Sequence, residues 1–538
     1  YRSYTHAPGS AVEIMNNARN HGELEFLVYE GKRYTYVEFF ALTDAFAAQL
    51  QGDFEVEKGD RVAIAMRNNA EWMIAYTAAT LTGAIVVPIN SWGKAEELEY
   101  AIDDCGAQVL VCDEARYKLV EERLPALKIA VIVVPASDAF QRPADVALFD
   151  DVLSSGEGQV FSPSHISPED PALILYTSGS TGFPKGVLHR HGPIGQAIMN
   201  MMFLGLLVAE FEGGPRPYRG GAERETPMLT VPLFHGTGLL GGFYMPLMLG
   251  QNVVMMYKWD SGRALELIAE EHVTSLSTVP AILLDLLNHP DYERHDTRSL
   301  MRISAAGAAT PAGLPELIAA RIDNPSRSAG YGMTETLAVG ATMSGVLFDL
   351  HPDAAGVVSP IMEMRFVGSN GEPVPPGAPG EIQLRGICCT PGYWEKDEAN
   401  QQTFDAEGWM KTGDVGMLDE DGYLYITGRI KEIVIRGGEN IYPGEIEQAA
   451  YEQPQVREVV VFGEPDHAMG EELVMVVYTE PGGGLTEQTL RDFLAQRLAG
   501  YKVPRTIALT DTPLPRNASE KLHKLKVKEA YLESRAQA

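Results

Sequence analysis

The chain has 538 residues, 45% of them hydrophobic and 22% charged, and its 73 acidic against 43 basic residues give a formal charge of −30. That length exceeds a single hydrophobic core and predicts roughly two to four domains of ordinary soluble type. The acidic excess excludes a general binder of nucleic acid or of anionic membrane, which needs the opposite sign.

Hydropathy patterning lays out the elements in chain order. Residues 61–66 read as a buried strand, 69–82 as a helix with few polar positions, and 84–88 as a second strand. An amphipathic helix at 95–105 and a third strand at 108–112 follow. Short β-branched runs separated by helices of this length predict parallel strands with right-handed crossovers. After a Gly/Pro/Arg-rich excursion at 212–227, expected on the surface, the same rhythm resumes over 228–304. Strands fall there at 228–231, 252–256 and 275–278, with a helix at 261–272. Two α/β lobes are expected. Between 356 and 429 Gly/Pro turns separate short alternating strands at 363–367, 380–384 and 422–426, which suggests a small antiparallel barrel. Beyond 429 come a strand at 433–435, a helix from 443, strands at 459–461 and 473–478, and a helix at 486–498. That block reads as a separate α+β domain, so the division expected is 1–429 and 430–538.

Cys105, Cys112, Cys388 and Cys389 form no metal-ligand spacing, and the adjacent pair reads as strand residues. Their low number fits a reducing cytosol. The first residues lack an apolar signal core, and the longest lipid-facing run, 238–250, is too short to span a bilayer and contains Pro246. A cytoplasmic enzyme without an integral membrane segment is expected, and a homodimer is left open.

The run from Tyr176 to Gly186, Tyr-Thr-Ser-Gly-Ser-Thr-Gly-Phe-Pro-Lys-Gly, has five hydroxyl-bearing residues and three glycines directly after an apolar run. Such a loop offers backbone N–H groups and hydroxyls to phosphate oxygens, with Lys185 adding charge. It is not a Walker loop, because Lys185 is followed by Gly186. Taken alone, a Ser/Thr/Gly loop is more often a plain turn. A second glycine motif, 236–241, has G-x-G-x-x-G spacing with Asp260 downstream at the end of the next strand. Pro232 and the bulky Phe234-His235 precede it and Pro246 interrupts the helix a pyrophosphate needs, so close helix–strand packing is the better reading.

Further chemistry-bearing phrases follow in order: Pro232 to Gly238, Gly307-Ala308-Ala309, Gly330-Tyr-Gly-Met-Thr-Glu-Thr336, Lys411-Thr-Gly-Asp414, Gly428-Arg-Ile-Lys431, Arg436 to Pro443, and Pro515 to Lys521. This ordered set closely resembles the adenylate-forming superfamily of acyl- and aryl-CoA synthetases, firefly luciferase and peptide-synthetase adenylation domains. The resemblance covers about residues 25–528. It implies an α/β fold: a large domain of two sheet lobes and a small antiparallel barrel, hinged to a small α+β C-terminal domain. It also implies ATP, Mg²⁺ and CoA as cofactors or co-substrates and a carboxylic acid as partner.

By that resemblance Thr177, Ser178, Gly179, Ser180, Thr181, Gly182 and Lys185 cradle the β- and γ-phosphates. Thr334 meets the α-phosphate, Glu335 holds Mg²⁺, and Tyr331 with Gly332 stacks on adenine, whose edge Gly307, Ala308 and Ala309 read. Asp414 accepts from the ribose hydroxyls with help from Arg429. Lys521 is the catalytic ammonium, acting with Thr334, Glu335 and His235. Physical chemistry agrees: a carboxylate attacking a phosphate brings two anions together, so cations and oriented donors are needed where charge gathers. Each residue has a plain counterpart when taken singly: a core tyrosine, a helix cap, a solvated charge. One departure stands out, Glu520 where the family usually has glycine.

For the second half-reaction Lys431 stands at the family's hinge, and Gly437, Gly438 and Glu439 line the pantetheine path. The acyl pocket implied is His235, Gly238, Thr278, Ala305, Ala306, Gly330 and Ala338. His235 stands where amino-acid-activating relatives usually carry aspartate, and a buried substrate ammonium without a partner is costly. Ala305 replaces the lysine of hydroxycinnamate ligases. A medium- to long-chain fatty acid or an aryl-alkanoic acid is expected, ahead of a hydroxycinnamate. The competing readings are an acyl-AMP ligase loading a carrier protein and a nucleotide- or lipid-binding protein without catalysis.

Overall fold

The structure is a computed structural model describing residues 1–137, 139–177, 184–305, 314–375, 377–437, 439–479, 484–516 and 522–537. Local chemistry sets the element ends. Asn69 accepts the Trp72 N–H at 2.7 Å and opens the helix Ala70–Thr82, which Gly83 closes at φ 85°. Asp260, expected at the end of a strand, instead caps the helix Ser261–Glu271 through the Arg263 N–H at 2.8 Å.

Among the described residues three sheets result. A seven-stranded sheet runs in the order Val146–Leu148, Ala130–Val134, Val109–Asp113, Arg61–Ala65, Ile85–Pro88, Pro171–Thr177, Lys185–Arg190. It is parallel except for its last pair, a hairpin, as the crossover helices require. The second lobe brings Arg302–Ala305, Ser275–Thr278, Pro227–Leu229 and Val253–Met255 together in parallel, in that order. Its edge is completed by Glu25–Tyr29 and Lys32–Thr35, two strands missed in sequence. The antiparallel block is a meander of Met362–Val367, Gly380–Gly386, Met410–Leu418 and Tyr423–Arg429. It joins the second lobe's sheet where Gly356 and Val357 pair with Leu424 and Tyr423. A third, five-stranded sheet lies wholly within 434–510 and has its own apolar core around Ile446, Val459, Leu473 and Leu490.

Several expectations are corrected. Cys388 and Cys389 lie in a turn after Gly386, not in a strand, with Cys388 buried. Pro246 distorts its helix rather than ending it: Gly236–Leu239, Leu240–Tyr244 and Met245–Leu249 follow one another without a break, and the middle segment, just ahead of the proline, is a π-helical turn. Among the described residues the helix long and apolar enough, by length and composition, to cross a membrane is His191–Phe211, not 238–250. One face of that helix is nevertheless buried, with Ile194, Ala197 and Ile198 in the main core and Asn200 donating to Ser359 Oγ at 3.2 Å. The 212–227 excursion does lie at the surface over residues 212–224, as expected, and is tethered there, with Arg216 donating to the Asn324 carbonyl at 2.9 Å and Arg224 to that of Glu25 at 2.7 Å.

Candidate functional site

Ligands in open α/β sheets bind beyond the carboxyl ends of the strands. Here those ends carry Thr177, Thr278, Ala305 and Tyr331. Thr177 ends a strand of the seven-stranded sheet and the other three end strands of the second lobe's sheet, so the site lies where the two sheets meet, with His189 of the hairpin bonding the turn after Tyr331.

On the ribose side, Asp414 is buried and engaged at both oxygens. The Tyr331 hydroxyl donates to Oδ2 and Arg429 Nε donates to Oδ1, each at 2.8 Å. Burial pushes the Tyr331 hydroxyl far up, with the Asp414 charge adding to the effect, so the tyrosine stays a donor. The turn after Tyr331 is tight: a Cβ on Gly332 would lie 2.3 Å from the Ala338 carbonyl carbon, and Leu337 and Ala338 hold φ of 51° and 57°. Non-glycine residues adopt that region at a cost, here at the segment that displays Thr334 and Glu335.

On the phosphate side, His189 Nε2 bonds the Thr334 carbonyl at 2.7 Å. His189 is buried, and desolvation lowers its pKa to about 4, so the ring is neutral and Nε2 carries the donated hydrogen. Glu335 is 6% exposed. Burial raises its carboxyl above the ordinary range, opposed by a hydrogen bond from the Tyr393 hydroxyl to Oε1 at 2.8 Å. Its carbonyl accepts the Thr390 N–H at 2.7 Å. Lys185 Nζ lies 4.8 Å from the centre of the Tyr393 ring. The hairpin base is braced by Tyr176, whose hydroxyl donates to Asp104 at 2.8 Å while Lys396 pairs with the same carboxylate at 2.5 Å.

On the acyl side, Thr278 pairs with Ala305 across adjacent parallel strands, and Gly330 lies opposite Thr342. Phe234 packs between the Trp92 ring, 5.6 Å away edge-on, and the His235 ring at 4.5 Å. Asn68 of the first lobe clamps this loop, donating to the Val231 carbonyl and accepting the Leu233 N–H, both at 2.9 Å. A Cβ on Gly238 would sit 2.2 Å from the Pro232 carbonyl oxygen, so this middle glycine of the 236–241 motif serves close packing, whereas a Cβ on Gly236 or Gly241 would find its nearest neighbour at 3.8 or 3.6 Å.

Toward the C-terminal sheet, Arg429 is tied to Asp414, while Glu432 is tied to Lys524 at 2.7 Å. Ile430 and Lys431 lie between these two ion pairs. Lys524 also reaches Glu447 at 3.0 Å; burial alone would lower its pKa, but the two carboxylates outweigh it and raise it. Gly437 turns the hairpin of Val434–Arg436 and Glu439–Ile441 at φ 61°, and Glu439 is exposed.

The structure therefore gathers Lys185, Thr334 and Glu335 on one side and Tyr331, Asp414 and Arg429 on the other. Ser178, Gly179, Ser180, Thr181, Gly182, Ala306, Gly307, Ala308, Ala309, Gly438, Glu520 and Lys521 lie outside the described residues. Sequence reading missed Asn68, His189, Thr390 and Tyr393. The turn signal Thr390-Pro-Gly-Tyr393 pointed to a loop there but not to its partner. Among the described residues no cluster of three or more His, Cys, Asp or Glu is set to hold a metal.

Residues 14–394 match the AMP-binding enzyme family and residues 445–521 its AMP-binding enzyme C-terminal domain. The chain belongs to this family, and within it is an adenylate-forming acid–thiol ligase. It is 32% identical to feruloyl-CoA synthase of Amycolatopsis sp over 88% of this chain and 90% of that protein. It is 31% identical to 3-[(3aS,4S,7aS)-7a-methyl-1,5-dioxo-octahydro-1H-inden-4-yl]propanoyl:CoA ligase of Rhodococcus jostii, over 94% of this chain and 96% of that one. Among solved structures it resembles O-succinylbenzoate coenzyme A synthetase of Bacillus subtilis in complex with ATP and magnesium ion. That match has a TM-score of 0.79 and 28% identity, covering 96% of this chain and 98% of that one.

Proposed function

We propose that the protein is an AMP-forming acyl-CoA synthetase acting on a medium- or long-chain fatty acid or an aryl-alkanoic acid. The observation that carries the reading is the joining of Asp414, Tyr331 and Arg429 beside the Thr334–Glu335 turn at the strand ends. In the first step a substrate carboxylate oxygen attacks the α-phosphorus of ATP and pyrophosphate leaves. In the second, the CoA thiolate attacks the acyl carbonyl and AMP leaves. Asp414 would accept from the ribose hydroxyls, Tyr331 would stack on adenine, Thr334 would donate to the α-phosphate, and Lys185 would neutralise the outer phosphates. Glu335 suits Mg²⁺, a hard ion usually held by one or two carboxylates together with substrate phosphates and water, and the ion would offset phosphate charge when bound. Lys521 would supply an ammonium to the reacting oxygens, and Lys431 would let the C-terminal domain swing so that Gly437, Gly438 and Glu439 meet CoA.

Support for the acid class comes from Ala305, which stands at the end of its strand opposite Thr278 and offers no cation to a ring hydroxyl. An apolar pocket discriminates only weakly between acids of similar size. A cytoplasmic location belongs to the same proposal, supported by four thiols that are all unpaired. The test is pyrophosphate release over a panel of carboxylic acids, with and without CoA. Acid- and Mg²⁺-dependent pyrophosphate and AMP with CoA required for turnover are expected. Release of ADP would refute the reading, and full turnover onto a carrier protein but not CoA would replace it with an acyl-AMP ligase.

A further inference from the structure

We infer that Tyr393 is a positioning residue that keeps Lys185 and Glu335 apart, so that the ammonium faces phosphate and the carboxylate stays open to a cation. This rests on the reading of Lys185 and Glu335 given above.

One side chain touches both groups. Its hydroxyl donates to Glu335 Oε1 at 2.8 Å, and its ring face lies 4.8 Å from Lys185 Nζ. The ring's negative face attracts a cation, and the hydroxyl's positive end attracts an anion. Tyr393 therefore satisfies both charges without letting them meet, and among the described residues Lys185 and Glu335 form no ion pair with each other. A direct pair in so buried a place would be strong, and it would remove both groups from the nucleotide.

The tyrosine is itself held. Its N–H donates to Asn400 Oδ1 at 2.7 Å, and Asn400 Nδ2 returns a bond to its carbonyl at 3.1 Å. On one side, the Trp394 N–H donates to the Gly186 carbonyl at 2.8 Å. On the other, Thr390 bonds the Glu335 carbonyl through its N–H at 2.7 Å and the Leu188 carbonyl through its hydroxyl at 2.6 Å. The loop 390–394 is thus fixed to the strand of Lys185 and to the turn of Glu335 together.

The experiment compares wild type, Tyr393→Phe, Tyr393→Leu and Glu335→Gln. Mn²⁺ binding is measured by electron paramagnetic resonance in the presence of a non-hydrolysable ATP analogue. Thermal unfolding checks the fold, and pyrophosphate release gives KM for ATP and kcat. Tyr393→Phe keeps the ring and is expected to weaken Mn²⁺ binding about 10-fold, the loss of one hydrogen bond to a charged acceptor, with little change in KM for ATP. Tyr393→Leu also frees Lys185 to pair with Glu335, so both Mn²⁺ affinity and KM for ATP should worsen. Glu335→Gln should weaken Mn²⁺ at least as much as Tyr393→Phe. Wild-type Mn²⁺ affinity in a folded Tyr393→Phe, alongside a weakened Glu335→Gln, would overturn the inference alone. Unchanged affinity in Glu335→Gln would overturn the metal reading itself and this inference with it.

Discussion

Replacing His189 with glutamine should change how the protein's stability responds to acid. In the folded protein burial lowers the His189 pKa from 6.5 to about 4. The unfolded chain therefore binds a proton in that interval that the native state refuses, and stability must fall as pH drops from about 6.5 toward 4. At about 1.4 kcal/mol per pKa unit, lowering the pH from 7 to 5 costs about 2 kcal/mol from this one residue. His191 is depressed to about 4 by the same cause, and neither ring nitrogen has a hydrogen-bond partner. The wild type should thus carry about twice that loss from the pair. Glutamine has no proton to gain and its amide can donate to the Thr334 carbonyl. His189→Gln should then lose about 2 kcal/mol less than wild type between pH 7 and 5, while adenylation at neutral pH is largely kept. Urea unfolding followed by tryptophan fluorescence at the two pH values measures this. An identical acid loss in both proteins would refute the reasoning, since it would mean that His189 titrates normally where it sits.

Three further outcomes are expected. Lys521→Ala should depress adenylation by about 100-fold or more, as loss of one transition-state charge contact does, yet spare thioester formation from supplied acyl-adenylate. Equal losses in the two half-reactions would rule out its delivery by a moving domain. Lys431→Pro should leave adenylation near wild type and slow thioester formation, because only Ile430 and Lys431 lie between the Arg429–Asp414 and Glu432–Lys524 ion pairs. Stopped half-reactions show whether the two rates separate; if they do not, the hinge lies elsewhere. Lys524→Met should destabilise the C-terminal sheet domain by about 3 kcal/mol, because Glu447 would be left buried without its cation. Since burial raises the Glu447 pKa, protonation relieves that cost, so the variant's deficit should shrink as pH falls through the carboxylate range. Calorimetry at pH 7 and 5 reads both effects.

Much of this protein was legible in its residues. Alternating apolar runs and helix-length spacers placed strands at 61–66, 108–112 and 275–278, which the structure has at 61–65, 109–113 and 275–278, because a buried parallel strand needs a β-branched run and a crossover needs a helix. The ordered motifs placed Thr334, Glu335, Tyr331, Asp414 and Arg429 in one family site, and the structure joins the last three by hydrogen bonds and an ion pair. Other features had no local signal. The edge strands at 25–35 belong to a lobe whose other strands lie some 200 residues away, and only the pairing of Leu27, Val28 and Tyr29 with Val253, Val254 and Met255 reveals it. Asn68, His189 and Tyr393 act through backbone carbonyls or single carboxylate oxygens supplied by distant segments. A sequence pattern records the type of a side chain but not which groups the fold brings within 3 Å of it. Composition and periodicity decide which elements form and which faces are buried. The chemistry at the strand ends depends on how three sheets and their connecting loops are stacked, and that arrangement exists only once the chain has folded.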